Sequence, residues 1–187
     1  MRTKDRRFIK TEDIIQRSMI KLLNEGLAEN LQIDDLINEA DINKSTFYLH
    51  YQSLDLLVSA LEDEFISGLV YALGSLNSDH SRLNFFEKTI DYIKENQKLT
   101  KAVLNASTYR LNEKIEEVGK SYLIPVPMRK RNKISSNIEL LESALVQAIT
   151  AYLRVWVFDG CKFDRETVLG DLLSIVGSEV YKNLLYK

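Results

Sequence analysis

The sequence holds one cysteine, Cys161, in 187 residues, so no disulfide can close within the chain. That excludes a disulfide-stapled scaffold and is compatible with a reducing compartment. Two prolines and seven glycines are too few for a turn-rich all-β architecture and favour long helices. Histidine is equally scarce. His50 and His80 stand far apart, without H-E-x-x-H or Cys–His ligand spacing, so no metal site is expected. A Gly-rich phosphate loop and a G-x-S-x-G elbow are missing too. The acidic pairs Asp34-Asp35 and Glu116-Glu117 read as solvated helix faces, and Cys161 as an unreactive loop thiol. The chain is therefore not expected to be an enzyme or to need a cofactor. No apolar run approaches membrane-spanning length, and the basic start lacks the apolar segment of a secretory signal. A net charge of −2 excludes a uniformly basic nucleic-acid binder.

What the sequence does carry lies in residues 33 to 57. Ile33, Leu36, Ile37 and Ala40 recur as one apolar helical face. Asp41-Ile42-Asn43 interrupts it with residues that tolerate left-handed backbone. A second short helix follows, with Phe47 and Tyr51 inward and Lys44, Ser45, Thr46, Tyr48 and His50 outward. Ser53 then reads as an N-cap, with Asp55 in the first turn favoured by the helix dipole. Helix, tight turn, helix is the shape of a helix-turn-helix, whose second helix enters the major groove by its N-terminal end. Thr46 and Tyr48 offer hydroxyls to phosphate oxygens, and His50 a ring donor. Lys44 reaches a phosphate or a guanine edge, and Asn43 and Ser45 present polar groups to bases. Gln32 and Asp34, opening the preceding helix, are weaker phosphate candidates. Arg2, Lys4, Arg6, Arg7 and Lys10 form a basic arm suited to phosphates or a minor groove.

The run Ala40-Asp41-Ile42-Asn43-Lys44-Ser45-Thr46-Phe47-Tyr48-Leu49-His50-Tyr51-Gln52-Ser53-Leu54-Asp55-Leu56-Leu57 resembles the DNA-binding signature of the TetR family of bacterial transcriptional regulators. The core T-F-Y-x-H-Y-x-S and the trailing D-L-L match. Asp41 stands where the family usually has Gly, and Leu54 where it usually has Lys. The motif-level resemblance covers about the first 60 residues of the sequence. It implies that Thr46, Tyr48 and His50 hold the DNA backbone while Lys44 and Ser45 read bases. It further implies an all-α protein. A three-helix DNA-binding domain with its basic arm, residues 1–52, would be joined by a long fourth helix to a helical ligand-binding and dimerisation domain, residues 53–187. The expected partners are double-stranded operator DNA, a second copy of the chain and a small-molecule effector of unknown identity, in the cytoplasm, with no membrane.

Along the rest of the chain, Thr11 reads as the N-cap of helix 1 and Gly26 as its end. Helix 4 runs from Ser53 through Leu57, Leu61, Phe65 and Leu69. Gly74 to Ser81 is polar, and Pro125-Val126-Pro127 breaks the helical pattern. Met128–Lys133 reads as a solvated basic cluster. The segments 136–158 and from Asp164 or Thr167 onward, through Val180 and Leu184, are apolar on more than one face and must bury more than one. By the resemblance, such helices pair between subunits. Phe85, Phe86, Tyr92, Tyr109, Tyr152 and Trp156 are candidates to line an effector pocket, although aromatics at helical spacing equally suit a core. Two alternatives stay open: a regulator of the same fold switched by a protein or by no ligand, and a helical interaction module with a degenerate DNA-binding head.

Overall fold

The structure is a computed structural model that describes residues 6–74, 82–106, 108–123 and 138–177. The Met128–Lys133 cluster, the Pro125–Pro127 break, His80, the first five residues, and Val180 and Leu184 lie outside them. The described residues form nine helices and no strand. They are α1 (Arg6–Asn24), α2 (Ile33–Glu39), α3 (Lys44–His50), α4 (Leu54–Gly74), α5 (Arg82–Glu95), α6 (Gln97–Ala106), α7 (Tyr109–Leu123), α8 (Ile138–Phe158) and α9 (Arg165–Val176). The all-α expectation holds.

Local chemistry sets most of the boundaries. The Ser53 hydroxyl accepts the Leu56 amide at 3.2 Å and opens α4, and Asp164 accepts the Thr167 amide at 2.8 Å and opens α9. That bond to the Thr167 amide is the main reason the Asp164 carboxyl sits below its ordinary range. One boundary differs from the reading of the sequence. Helix α1 is already formed at Arg6, and the Thr11 hydroxyl donates to the Arg7 carbonyl one turn back, at 3.0 Å. Thr11 is thus inside the helix and caps nothing, since a threonine can bond backward as readily as it can cap. Arg6 and Arg7 accordingly ride on a helix and do not belong to an extended arm.

The helices gather into two compact units. The first takes in the chain to Phe65 together with Lys98–Thr108. Its core is Ile15, Met19, Leu23, Leu36, Phe47, Leu57 and Leu61, all essentially without solvent contact. Helix α6 belongs here through bonds between side chains and distant backbone. Asn24 donates to the Lys98 carbonyl and Asn105 to the Leu23 carbonyl, each at 2.9 Å. The Thr108 hydroxyl donates to the buried Glu62 carboxylate of α4.

The second unit comprises Ile66–Gln97 and the chain from Tyr109. Arg165 of α9 is bound to Asp91 at 2.9 Å and Glu87 at 3.1 Å, both on α5. Phe85 stacks on Tyr122 with ring centroids 5.9 Å apart, joining α5 to α7. Helix α4 runs unbroken through Gly68, where a Cβ would collide with the Tyr92 hydroxyl. Helix α8 is apolar on two sides. Leu145, Val146, Ile149, Leu153, Trp156 and Val157 face the core, whereas Leu140, Ala144, Ala148, Ala151, Val155 and Phe158 are exposed. This double-sidedness makes Glu139–Phe158 long and apolar enough, by length and composition, to cross a membrane, with a third of its apolar window buried within the protein. The expectation that no stretch approaches that length does not hold for α8, because its inward and outward apolar faces together raise the mean hydropathy of one long helix.

Candidate nucleic-acid interface

The short helix α3 is seated from several directions. Phe47 is fully buried beneath it, edge-on to Tyr48 at 5.4 Å and tilted against Tyr51 at 6.4 Å. Gln16 of α1 donates to the Tyr51 hydroxyl at 3.0 Å. Burial raises the Tyr51 phenol above its ordinary range, and the bond from Gln16 works against that rise. Lys21 of α1 grips both Glu39 oxygens at 2.8 Å, fixing α2. His50 lies flat against the Phe8 ring with centroids 3.9 Å apart, which ties the end of α3 to the first turns of α1. Phe8, Gln16 and Lys21 were not among the candidate residues. Phe8 was detectable, because it stands seven residues before Ile15 on the stripe that Ile15, Met19 and Leu22 continue.

The helix start is built by Asn43. Its Oδ1 accepts the Thr46 amide at 2.8 Å, the Ser45 hydroxyl at 2.6 Å and the Thr46 hydroxyl at 2.9 Å. That oxygen is committed to the cap, while the two hydroxyls can rotate outward toward an acceptor. Lys44, Ser45, Tyr48 and Leu49 are exposed on α3, and Arg6 and Arg7 are exposed in the first turn of α1, the turn that carries Phe8. Lys44 meets Asp34 of α2 at 3.4 Å, with both side chains mostly in water. A phosphate would therefore compete with Asp34 for that ammonium. The Gln32 amide, a weaker phosphate candidate, is taken by Asp35 at 2.9 Å. Residues 1–60 hold ten Asp and Glu against eight Lys and Arg, so any attraction for DNA comes from where the cations stand and not from their sum.

The turn between α2 and α3 explains the departure at Asp41. Its φ is +49°, and it occupies the left-handed position of a helix-ending motif. The Asp41 amide donates to the Asn38 carbonyl at 3.3 Å and the Ile42 amide to the Ile37 carbonyl at 3.1 Å. The same pair of bonds ends α1 at Gly26 (φ +86°) and α8 at Gly160 (φ +78°). Aspartate keeps the geometry at some conformational cost. Asp41→Gly is expected to stabilise the first unit by about 1 kcal/mol, read as a raised urea midpoint at unchanged slope. An unchanged or lower midpoint would show that Asp41 carries no strain.

The six aromatics expected at an effector pocket have different surroundings among the described residues. Phe86 is buried edge-on to Phe85 at 5.3 Å, and Trp156 is buried with its Nε1 donating to the Phe163 carbonyl at 3.3 Å. Tyr152 donates to Asp171 at 2.6 Å, and burial and then that carboxylate push its phenol up to about 12. Tyr109 is largely exposed. Of the six, Tyr92 lines the groove of about 560 Å³ between the end of α4 and α5, with Tyr71, Ala72, Gly74, Lys88, Asp91 and Glu95. Cys161 follows Gly160 in the turn after α8, and burial pushes its thiol above the ordinary range, which disfavours a reactive thiolate. Among the described residues, no cluster of three or more His, Cys, Asp or Glu is placed to hold a metal.

Residues 81–177, just over half of the chain, match the family model for the C-terminal region of TetR-type transcriptional regulators. The crystal structure of a TetR transcriptional regulator from Streptococcus agalactiae 2603V shares the fold, with a TM-score of 0.66 over 97% of each chain at 19% identity. No curated protein matches the sequence.

Proposed function

The chain belongs to the TetR family of transcriptional regulators, and from that premise we propose that it is a sequence-specific, homodimeric repressor that leaves its operator when a small effector binds. The observation that carries the DNA-binding part is the seating of α3. A helix start built by Asn43 presents Lys44, Ser45 and Tyr48, and the Phe8–His50 stack brings the Arg6 and Arg7 turn to the other end of the helix. Cations at both ends suit the two phosphate strands that border a major groove. Thr46 and Tyr48 supply uncharged donors to phosphate, and Lys44 supplies a charge once it is drawn from Asp34.

The exposed stripe of α8 supports the dimer. Leu140 and Val155 stand about 70% in water, with alanines at 144, 148 and 151 between them that let a second helix approach closely. In such a dimer the paired α3 helices would lie about 34 Å apart, one turn of DNA, or a small multiple. The groove beside Tyr92 has the size of a small-molecule site, and an effector there would release DNA only by binding the two states of the dimer unequally. The protein would act in the cytoplasm. The acid-rich head favours a second reading, an interaction module of the same fold that has lost operator binding.

The discriminating experiment titrates the Thr46→Val/Tyr48→Phe double variant against DNA selected from a random pool. Losing two donors to phosphate should weaken binding about 10- to 100-fold on selected and unselected DNA alike, with the salt slope unchanged. Lys44→Gln should instead lower the slope by about one unit. A pool from which no duplex is enriched would favour the interaction module.

A further inference from the structure

We infer that Leu49 reads a thymine methyl group in the major groove, so that operator choice rests on an apolar contact as well as on hydrogen bonds; this builds on the DNA-binding reading above. The apolar residues of the first unit divide sharply. Leu36, Phe47, Leu57 and Leu61 have no solvent contact, whereas Leu49 is 71% exposed, the most of any large apolar residue described in that unit. Leu49 adds nothing to the core, which is closed beneath α3 by Phe47. It lies on the outward stripe of α3 with Ser45, four residues before it, and Tyr48, so the three side chains project from one side.

The occupant follows from chemistry and charge. Lys44 stands at one end of α3, and Arg6 and Arg7 lie in the α1 turn that the Phe8–His50 stack holds to the other end. A polyanion bound along this face would meet cations at both ends and Leu49 between them. Leucine can bond neither phosphate nor a polar base edge. The group in the major groove that rewards an aliphatic side chain is the 5-methyl of thymine. Ser45 and Tyr48 supply the polar neighbours that fix the register on the same stripe.

The test uses the full chain and duplexes that it enriches from a random-sequence pool. Each thymine of an enriched duplex is replaced in turn by deoxyuridine, which removes the 5-methyl and keeps every hydrogen-bonding group. Wild type is expected to bind about 4-fold more weakly at one such position in each half-site, the worth of one buried methyl. Leu49→Ala should be indifferent to that replacement, and Leu49→Met should remain sensitive. Both variants should melt with wild type, because the side chain is exposed. Deoxyuridine effects that are absent, or equal in wild type and Leu49→Ala, would overturn the role of Leu49 and leave DNA binding intact. Failure to enrich any duplex would overturn the DNA-binding reading and the methyl contact with it.

Discussion

Val155→Glu is expected to split the dimer and to weaken operator binding by about 10²- to 10⁴-fold, while the head stays folded. Val155 lies on the outer face of α8, clear of the core formed by Leu145, Ile149, Leu153 and Trp156, so a carboxylate there costs the monomer little. In a two-fold dimer, the same substitution enters the interface from both sides. Two carboxylates would then be desolvated together without a partner. Operator binding follows, because a monomer gives up the linkage that makes the second half-site contact intramolecular. Sedimentation equilibrium checks the oligomer, and anisotropy with a selected duplex checks the affinity. A variant that remains dimeric at micromolar concentration would move the interface elsewhere.

Phe47→Ala is expected to do the converse, removing DNA binding while leaving the dimer in place. Phe47 is fully buried where α3 meets Tyr51 and the rest of the first unit. Truncating a buried phenylalanine costs about 3–5 kcal/mol, against a total of about 5–15 kcal/mol for a domain. The first unit holds α3 and the second holds the α8 stripe, so calorimetry should show an early transition lost or lowered and a later one retained. Coincident loss of both transitions would mean that the units do not melt separately. The two variants together separate reading from pairing.

The parts of this fold that were legible in the sequence are those set by local chemistry. Ser53 caps the helix that it was expected to cap, Asp164 opens the last described helix, which was expected to start there or at Thr167, and Asp41 takes the left-handed turn allowed to it by its short polar side chain. Thr11 was misread because backward bonding within a helix and capping use the same residue types. The inclusion of α6 in the first unit was out of reach. It depends on Asn24 and Asn105 finding backbone carbonyls far along the chain, and no periodicity encodes such a bond. The site divided in the same way. The exposure of Lys44, Ser45 and Tyr48 on α3 followed from helical spacing around Phe47, but Thr46 and His50 are only half-exposed, and the Phe8–His50 stack and the Lys44–Asp34 pair are tertiary. In the body, spacing could not tell Phe86 and Trp156, which are core, from Tyr92, which lines a groove. The apolar breadth of α8 was visible, but which of its faces meets solvent was settled only by packing.

The central claim is that α3 reads DNA as one of a pair. Hydroxyl-radical footprinting of the full chain on a duplex that it has enriched tests this most directly. Two protected patches should appear, related by two-fold symmetry and centred about 10 base pairs or a small multiple apart, and at a protein concentration just sufficient for wild type both should be lost with Thr46→Val/Tyr48→Phe. A single unpaired patch, or protection that survives the double variant, would contradict it.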